Sequence, residues 1–339
     1  HLSIRRQRQM CIRDRINPYL MASKYKNYWS LLHSLKFVDA CPSEKERGFL
    51  TMLSAILLSG KRPQELLLLK TLCEQGSIPV QTFADSLAAQ GLDHSEACLN
   101  TIERVLNLQW FTESQRLSFG DLPLVVREGS VFKLSDDFRM LYRSYADTEH
   151  FSAVSFRDHV DDLIETGLLL NRKNFNGSDQ FIQGKRYSRR DVCRLLNWAN
   201  NQESTVYGYK TDKATMTCPI FVTYHKDSEI SESIRYEDTL IDRSTLHWFT
   251  RNRRTLKSNE LQPILNGDAD LHLFAKREDA EGAEFYYLGQ ADSTNPQQTE
   301  MLGKNNKPVD VVTTDLKLRV PLPAELFDSL TARKTVAAR

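Results

Sequence analysis

The spacing of apolar residues changes near Thr205, and this change limits the possible folds more than any other feature of the sequence. Before Thr205, apolar residues recur every three or four positions, which is typical of amphipathic helices. After it, short β-branched and aromatic runs and alternating patterns favour strands, which are expected at residues 206–210, 220–225, 271–276, 285–290 and 309–320. Helices followed by strands predict an α+β protein, with a helical, winged-helix-like N-terminal domain and a mainly antiparallel β-domain in the second half.

Four helices are expected between residues 43 and 107. The first starts at Ser43, because Glu46 three residues later completes a capping box, and Gly60 closes it. The other three are expected at about residues 63–76, 80–90 and 95–107. Further helices at about 138–145 and 155–170 would connect this region to the second half. His159 on the last of them is interpreted as a core or boundary residue rather than a metal ligand.

A β-hairpin is expected after the four helices, because apolar alternation flanks the pair Glu128-Gly129. Helices joined by a short glycine turn and followed by a hairpin are typical of a winged helix-turn-helix. Residues 95–107 would then be the recognition helix, and the candidate nucleic-acid contacts of helix and wing are Asn100, Arg104, Arg127 and Lys133. Because Glu96 and Glu103 share that helix, a helical spacer or a protein-docking domain is the alternative.

The domain boundaries follow from composition. Met10 to Arg15 resembles the translation of a sequencing adapter, so residues 1–15 are expected to be non-native and the chain to be the C-terminal part of a longer protein. The remaining boundaries place a lead-in at residues 16–42, the winged-helix-like domain at 43–135, a helical connector and linker at 136–183, the β-rich domain at 184–330 and a tail at 331–339.

Charge is nearly balanced over the whole chain, with 45 Lys and Arg against 44 Asp and Glu and a formal net charge of +1. Any argument for nucleic-acid binding therefore rests on local patches. Residues 227–242 are acidic, whereas Arg243 to Lys257 holds five basic residues and no carboxylate. Basic side chains neutralise phosphates, and aromatic rings stack on unpaired bases. The candidate contacts in this half are Tyr207, Tyr209, Tyr224, Tyr236, His247, Trp248, Arg251, Arg253, Arg254 and Lys257. A solvated charged face with ordinary strand aromatics is the alternative.

Signatures of catalysis are weak. The pair Gly60-Lys61 is followed by Arg62 rather than Ser or Thr, so it is not a phosphate loop. Asp310 with Asp315 and Lys317 weakly resembles the array of metal-dependent nucleases, but alternation along one strand explains these residues equally well. No catalytic residue, metal site or cofactor is therefore expected within the chain.

Cysteine usage and hydropathy bear on the cellular location. The six cysteines include no Cys-x-x-Cys pair, which favours reduced thiols in a cytoplasmic protein. No apolar run reaches the length of about 18 residues that a membrane span needs. We therefore expect a cytoplasmic protein without a membrane partner.

Dispersed motifs in the second half resemble a known bacterial family, DUF3427, a domain of unknown function. The motifs are Tyr187–Val192, Val206–Tyr209, Cys218–Lys226, Tyr236–Asp238, His247-Trp248 with Arg251, Leu273–Lys276 and Phe285–Gly289. The resemblance covers about residues 187–330. In that family the domain lies at the C-terminus of superfamily-two DEAD/DEAH-type helicases, often with a phospholipase-D-like nuclease at the other end, in proteins suspected of defence against foreign DNA.

The resemblance implies an ATP-dependent helicase as the parent protein, with ATP and magnesium bound by a core outside these residues. The sequence thus predicts a non-catalytic region that binds or inspects DNA, in phage defence or restriction. The expected partners are nucleic acid, DNA rather than RNA, and the helicase core of the same polypeptide. One alternative is an interaction or autoinhibitory module whose acidic stretch docks on that core, and another is a metal-dependent nuclease.

Overall fold

The computed structural model describes residues 26–38, 41–144, 155–225, 238–302 and 307–332 of the 339-residue chain. The chain divides into two compact units. Unit 1 consists of residues 1–180 with 199–201, and unit 2 consists of residues 181–198 with 202–339. The winged-helix-like region and the helical connector, expected as separate domains, both lie in unit 1. Within the described ranges, no helix is long and apolar enough to cross a bilayer.

Unit 1 is mainly helical. Its helices are α1 (Tyr28–Ser34), α2 (Glu44–Met52), α3 (Gln64–Gln75), α4 (Val80–Ala89), α5 (Glu96–Leu106), α6 (Glu113–Ser118), α7 (Asp136–Arg143) and α8 (Phe156–Phe175). Helix α2 starts as predicted: the Ser43 hydroxyl accepts from the Glu46 backbone N–H, and the Glu46 carboxylate accepts from the Ser43 N–H at 2.8 Å. Helix α6 is not among the predicted helices, because its six residues are too few to set a period.

Helix α2 continues into a π-helical turn, Leu53–Leu57, and the chain then reverses at Gly60. Gly60 has a φ of +68°, and a Cβ there would lie 2.3 Å from the backbone oxygen of Gly167 in α8. Only glycine fits this close approach of two backbones. On the same helix α8, His159 is 5 % exposed and stacks on Trp29 with ring centroids 4.9 Å apart, as expected for a core histidine.

A small antiparallel sheet completes unit 1. It contains β1 (Ser77–Pro79), β2 (Val125–Glu128) and β3 (Val131–Leu134) in the order β1-β3-β2. The predicted hairpin of β2 and β3 is present, with Arg127 opposite Phe132, and β1 adds a third strand through Ile78 opposite Phe132. The chain order in this part of unit 1 is therefore α3-β1-α4-α5-α6-β2-β3.

The segment after Gly60, which is not a phosphate loop, forms a buried polar contact. Arg62 is 2 % exposed, and its Nε lies 3.4 Å from Oε1 of Glu65, which is 0 % exposed. Arg62 Nη2 also donates to the Cys98 carbonyl at 3.3 Å and to its Sγ at 3.1 Å. Burial by itself would lower the pKa of Arg62, but Glu65 and Cys98 outweigh burial and raise it. This arginine is part of the core of unit 1.

Unit 2 is built on one seven-stranded sheet. Its strands are β4 (Arg186–Ser188), β5 (Thr217–His225), β6 (Thr239–Asp242), β7 (Thr245–Phe249), β8 (Asp270–Glu278), β9 (Glu284–Leu302) and β10 (Pro308–Leu318). The order is β5-β8-β9-β10-β7-β6, with β4 paired to β9. Strands β5 and β8 pair in parallel and the other pairs are antiparallel, so the mainly antiparallel β-domain is confirmed.

The sheet curls around the core of unit 2. Tyr209 bridges to Ile220 on β5, at one end of the strand order, yet its ring lies 5.0 Å from that of Trp248 on β7 near the other end. The helices of unit 2 are α9 (Arg189–Leu195), α10 (Gln262–Leu265) and α11 (Ala324–Thr331). Ile264 of α10 and Leu330 of α11 pack into the same core. Burial of this concave face places the inward residues of β5, β7, β8 and β10 out of contact with solvent.

One predicted strand is absent. Residues 206–210 were expected to form a strand, but within this segment the chain makes the isolated bridge Tyr209–Ile220. The reason is Gly208, whose φ of +78° interrupts the extended backbone. The interruption places Tyr209 in the core, 2 % exposed, while Tyr207 is 68 % exposed.

Candidate nucleic-acid interface

The basic segment predicted from the sequence forms a loop, residues 250–258, which we call the arginine loop. Its backbone is bonded to strand β10: Thr250 N donates to the Val312 carbonyl at 2.9 Å, and Arg253 N donates to the Asp310 carbonyl at 2.7 Å. The Thr250 hydroxyl accepts from Val312 N at 2.9 Å. Arg253 itself has a φ of +62°, a conformation that non-glycine residues seldom adopt. The loop therefore has a defined path over the sheet.

Strand β9 holds the other end of the arginine loop. The Gln298 side-chain oxygen accepts from Leu256 N at 2.9 Å, and its amide nitrogen lies 3.4 Å from the Arg254 carbonyl. Within the loop, the Ser258 hydroxyl accepts from Thr255 N at 2.9 Å. A side chain from a distant strand thus takes the place of a backbone partner and fixes the loop.

Three donors meet at Glu260, just beyond the arginine loop. The Tyr209 hydroxyl donates to its Oε1 at 2.7 Å, and Arg251 Nη2 lies 3.2 Å from Oε1 and 3.1 Å from Oε2. Arg254 Nε also donates to this carboxylate. The Arg251 guanidinium carbon lies 4.4 Å from the Tyr209 ring centroid, within cation–π range. We call these four residues the Glu260 cluster.

The pKa values of the Glu260 cluster follow from these contacts. Partial burial would raise the pKa of Glu260, but hydrogen bonds from Arg254 and Tyr209 and the charge of Arg251 hold it below its ordinary value. Burial, together with the hydrogen bond to Glu260, raises the pKa of Tyr209 to about 12. The hydrogen bond to Glu260 raises the pKa of Arg254. At neutral pH the cluster is therefore one carboxylate, two guanidinium groups and a hydroxyl that donates.

Two cations of the arginine loop are not part of this cluster. Arg253 and Lys257 are exposed, and no carboxylate of the described residues forms an ion pair with either. With Arg251 and Arg254 counted, the loop has four basic side chains, and among the described residues their ion pairs all go to Glu260. The Asp310 carboxylate also lies beside the loop, 3.4 Å from the Gln298 amide. Among the described residues, the loop therefore has more positive than negative charge, which attracts phosphate groups.

The predicted stacking residues are placed differently from the expectation. Trp248 is 3 % exposed, with its ring edge-on to Tyr209 at 83°, so both rings are core residues and do not offer a face to a base. The Tyr224 hydroxyl accepts from Leu240 N, and its ring packs against the same core. The physical cause is the curl of the sheet, which buries the face on which these residues lie. Tyr207 remains exposed.

Tyr236 and His247 are the two remaining predicted contacts in unit 2. Tyr236 lies outside the described residues, as do residues 227–237 of the acidic stretch 227–242. His247 is half-buried: its Nδ1 lies 2.7 Å from Asp315 Oδ1, and its ring meets that of Phe249 edge-on at 5.1 Å. His247 is therefore positioned by Asp315 and is not part of the Glu260 cluster.

Most of the residues in unit 1 that were predicted to contact nucleic acid form hydrogen bonds or ion pairs within the unit. Arg104 Nη1 donates to the Ala199 carbonyl at 2.9 Å, and Arg127 Nη1 lies 3.2 Å from Glu103 Oε2. Lys133 pairs with Glu128. Asn100 is exposed on α5 without such a partner. The positive charges of the helix and wing are thus largely satisfied within unit 1, which weakens the case for a DNA contact there.

The described residues contain no metal-ligand cluster: no group of three His, Cys, Asp or Glu side chains there is close enough to hold a metal ion. In the nuclease-like array, the Asp315 carboxylate is bonded to His247, while Asp310 Oδ1 lies 3.4 Å from the Gln298 amide. Each carboxylate thus has its own local partner. The nuclease alternative stays a hypothesis.

Sequence reasoning missed Glu260 and Gln298. Glu260 lies six residues after Arg254, and this short spacing could have suggested a contact between them. The turn that brings the two side chains together could not be predicted from the sequence. Gln298 is 42 residues from Leu256, and only the strand register brings the two together. No local signal points to such a contact.

Two family models match parts of the chain. Residues 181–330 match the model of a family described as "Domain of unknown function (DUF3427)", which confirms the resemblance of the second half. Residues 12–176 match a family described as "Domain of unknown function (DUF8090)". That match starts inside residues 1–15, which were expected to be non-native. Neither description states an activity. No curated protein matches the chain.

Solved structures give weak similarities. The sulfur-binding and SRA domains of ScoMcrA, complexed with phosphorothioated DNA, align at 12 % identity and a TM-score of 0.30 over 80 % of this chain and 90 % of that one. KRYPTONITE in complex with mCHH DNA, an H3(1-15) peptide and SAH aligns at 12 % identity and a TM-score of 0.28 over 42 % of this chain. This chain spans about a third of the KRYPTONITE chain, 33 %. TM-scores this low do not establish a shared fold.

Proposed function

We propose that unit 2 binds the phosphodiester backbone of DNA through the arginine loop. The observation that carries this proposal is the exposure of Arg253 and Lys257, both without an ion-pair partner among the described residues. Because hydrogen bonds to β9 and β10 fix the loop, little backbone entropy is lost on binding. Cations held in place at the surface bind phosphates and release counterions from the DNA.

Charge rather than base recognition dominates this mode of binding. Trp248, Tyr209 and Tyr224 pack in or against the core, which leaves Tyr207 as the exposed ring among the predicted stacking residues that the structure describes. One ring can stack on one unpaired base. We therefore propose binding with little sequence preference and strong dependence on salt.

Unit 1 fits a different role. The order of helices and strands from α3 to β3, with β1 paired to β3, supports the winged-helix interpretation. Its candidate recognition helix exposes Glu96 and Asn100, while Arg104 and Arg127 are bound within the unit. We propose that this winged helix docks on protein rather than on DNA.

The wider context is also a proposal. We propose a role beside an ATP-dependent superfamily-two helicase in phage defence or restriction, and this proposal rests on the resemblance of the motifs in the second half. The description of the family that matches residues 181–330 states no activity. ATP and magnesium would then be used by the helicase core, and the residues of this chain would bind DNA in the cytoplasm without catalysing a reaction.

A salt titration of DNA binding tests the main proposal. The full chain should retain a short labelled duplex on a filter at low salt, and the slope of log affinity against log salt should be negative. Changing Arg253 and Lys257 together to alanine should make this slope shallower by about 1.8, since each phosphate contact contributes about 0.9.

The matched control removes two exposed cations from helix α8 in unit 1, Arg172 and Lys173. This double alanine variant carries the same change of net charge and should keep the original slope. No retention of duplex by the full chain at low salt would overturn the proposal. Equal slopes for the loop variant and the control variant would overturn it as well.

A further inference from the structure

The donors around Glu260 form a constellation suited to an anion. Two guanidinium groups, Arg251 and Arg254, and the Tyr209 hydroxyl all point at one carboxylate. Planar guanidinium forks bind carboxylates and phosphates in the same geometry, because both present two oxygens at similar spacing. The Glu260 carboxylate and a phosphodiester also carry the same charge of about −1.

The guanidinium of Arg251 is held independently of Glu260. Its carbon lies 4.4 Å from the centroid of the Tyr209 ring, and that ring packs edge-on against the buried Trp248. The Arg251 Nε is buried and has no hydrogen-bond partner among the described residues. The Arg254 guanidinium is held by its Nη1, which donates to the Asn252 carbonyl at 3.4 Å and to the Arg253 carbonyl at 3.3 Å. Both arginines would thus keep their positions if the carboxylate turned away.

Glu260 is free to turn away. Its side chain is 37 % exposed, and it precedes the short helix α10 at the surface. Ion pairs with this degree of exposure contribute little net free energy, because solvent screens them and water can replace either partner. An incoming phosphate beside Arg253 and Lys257 would meet two further cations, which the carboxylate does not contact.

We propose that Tyr209, Arg251 and Arg254 form an oxyanion site for a DNA phosphodiester, and that the Glu260 carboxylate fills this site when DNA is absent. The inference rests on the proposed DNA binding by the arginine loop and extends it from two phosphate contacts to three. Glu260 acts as an internal competitor that lowers the affinity for DNA.

The substitution Glu260→Gln tests this inference. Glutamine keeps the size of the side chain and an oxygen that accepts from Tyr209, but it lacks the negative charge that competes with a phosphate for the two arginines. The affinity for the labelled duplex should rise by about two- to fivefold, which corresponds to the loss of a competing exposed ion pair. The slope of log affinity against log salt should steepen by about 0.9 for the additional phosphate.

A second variant separates competition from a structural role. Adding Arg254→Gln to Glu260→Gln should remove the gain in affinity and in slope, because the released guanidinium is then missing. Thermal melting by circular dichroism should show that both variants remain folded. An affinity of folded Glu260→Gln that equals or falls below that of the original chain would overturn the inference and make Glu260 a residue that positions the arginines for DNA.

Failure of the inference can be distinguished from failure of the proposed function. If the original chain binds duplex in a manner that depends on Arg253 and Lys257, while Glu260→Gln gives no gain, the oxyanion site alone is wrong. If neither the original chain nor Glu260→Gln retains duplex at low salt, both proposals are wrong.

Discussion

The two regions predicted to contact nucleic acid use their positive charges in opposite ways. In unit 1, Arg127 pairs with Glu103 at 3.2 Å, Lys133 pairs with Glu128, and Arg104 donates to a backbone carbonyl. In unit 2, Arg251 and Arg254 of the arginine loop pair with Glu260, whereas Arg253 and Lys257 form no ion pair with a described carboxylate. The number of carboxylates that the fold brings within reach therefore decides whether a basic segment presents charge to a ligand, whereas the count of basic residues does not.

A similar contrast separates the aromatic residues of unit 2. The sequence predicted that both Trp248 and Tyr207 stack on bases. In the structure Trp248 is 3 % exposed, whereas Tyr207 is 68 % exposed. Trp248 lies on the concave face of the curled sheet, and Tyr207 directly precedes Gly208, whose positive φ interrupts the extended backbone. The first ring contributes to stability and the second is available to a ligand.

The largest expected effect concerns these two rings. Trp248→Ala should lower the free energy of unfolding of unit 2 by about 3–5 kcal/mol, because it empties a buried aromatic site. Tyr207→Ala should change it by less than about 0.5 kcal/mol, because the ring is exposed. Urea denaturation followed by circular dichroism measures both values.

The affinity for single-stranded DNA should depend on Tyr207 more than on Trp248, which is the reverse of the order expected for stability. Tyr207→Ala should weaken binding of single-stranded DNA by about 1–3 kcal/mol if the ring stacks on a base, as filter binding would record. Ile241→Ala, which removes another exposed apolar side chain, is the control and should leave the affinity unchanged. A Trp248→Ala variant that keeps its stability but loses affinity for single-stranded DNA would refute this division of roles.

A smaller effect should appear in the pH dependence of stability. The pKa of Glu260 in the folded chain lies below its ordinary value of 4.5, so the folded state favours the ionised form. The stabilisation is therefore fully present above the ordinary value and is lost as the pH falls through the lower, folded-state pKa. Because the carboxylate is 37 % exposed, we expect this contribution to be less than about 1 kcal/mol.

The measurement compares the original chain with Glu260→Gln in urea as the pH falls from about 6 to about 3. The original chain should lose stability relative to the variant across this range, because the variant has no carboxylate to protonate. Parallel curves would mean that the ion pairs of the Glu260 cluster contribute nothing to the folded state. The arginine loop would then differ from the unit 1 surface even more than its contacts indicate, because its ion pairs would add no stability.

Local patterns of the sequence predicted those parts of the fold that depend on neighbouring residues. The capping box at Ser43, the hairpin around Gly129 and the shift from helices to strands near Thr205 are all present. Each of them depends on hydrogen bonds or side-chain faces within a few residues, which periodicity and turn chemistry record. The resemblance of the second half to its family was likewise carried by short motifs.

The candidate site could be predicted only in part, because its contacts join distant segments. The basic residues of the loop were identified, but Tyr209 and Glu260 are 51 residues apart, and Leu256 meets Gln298 through the pairing of strands. The burial of Trp248 depends on the curl of the whole sheet, which no local pattern encodes. The strand expected at residues 206–210 failed at Gly208, where one positive φ outweighed the apolar alternation.

The smallest expected effect tests unit 1 directly. The double variant Arg104→Ala and Arg127→Ala should change the affinity for duplex DNA by less than about twofold, and should leave the salt slope unaltered, since both guanidinium groups are already bound within the unit. Filter binding at several salt concentrations gives both quantities, and the Arg253 and Lys257 double variant is the matched comparison. If the unit 1 variant instead made the slope shallower by about 1.8, its arginines would exchange their internal partners for phosphates. The region of unit 1 that we propose to be a winged helix would then contact DNA as well, and the ion pair of Arg127 with Glu103 would resemble the Glu260 cluster in function.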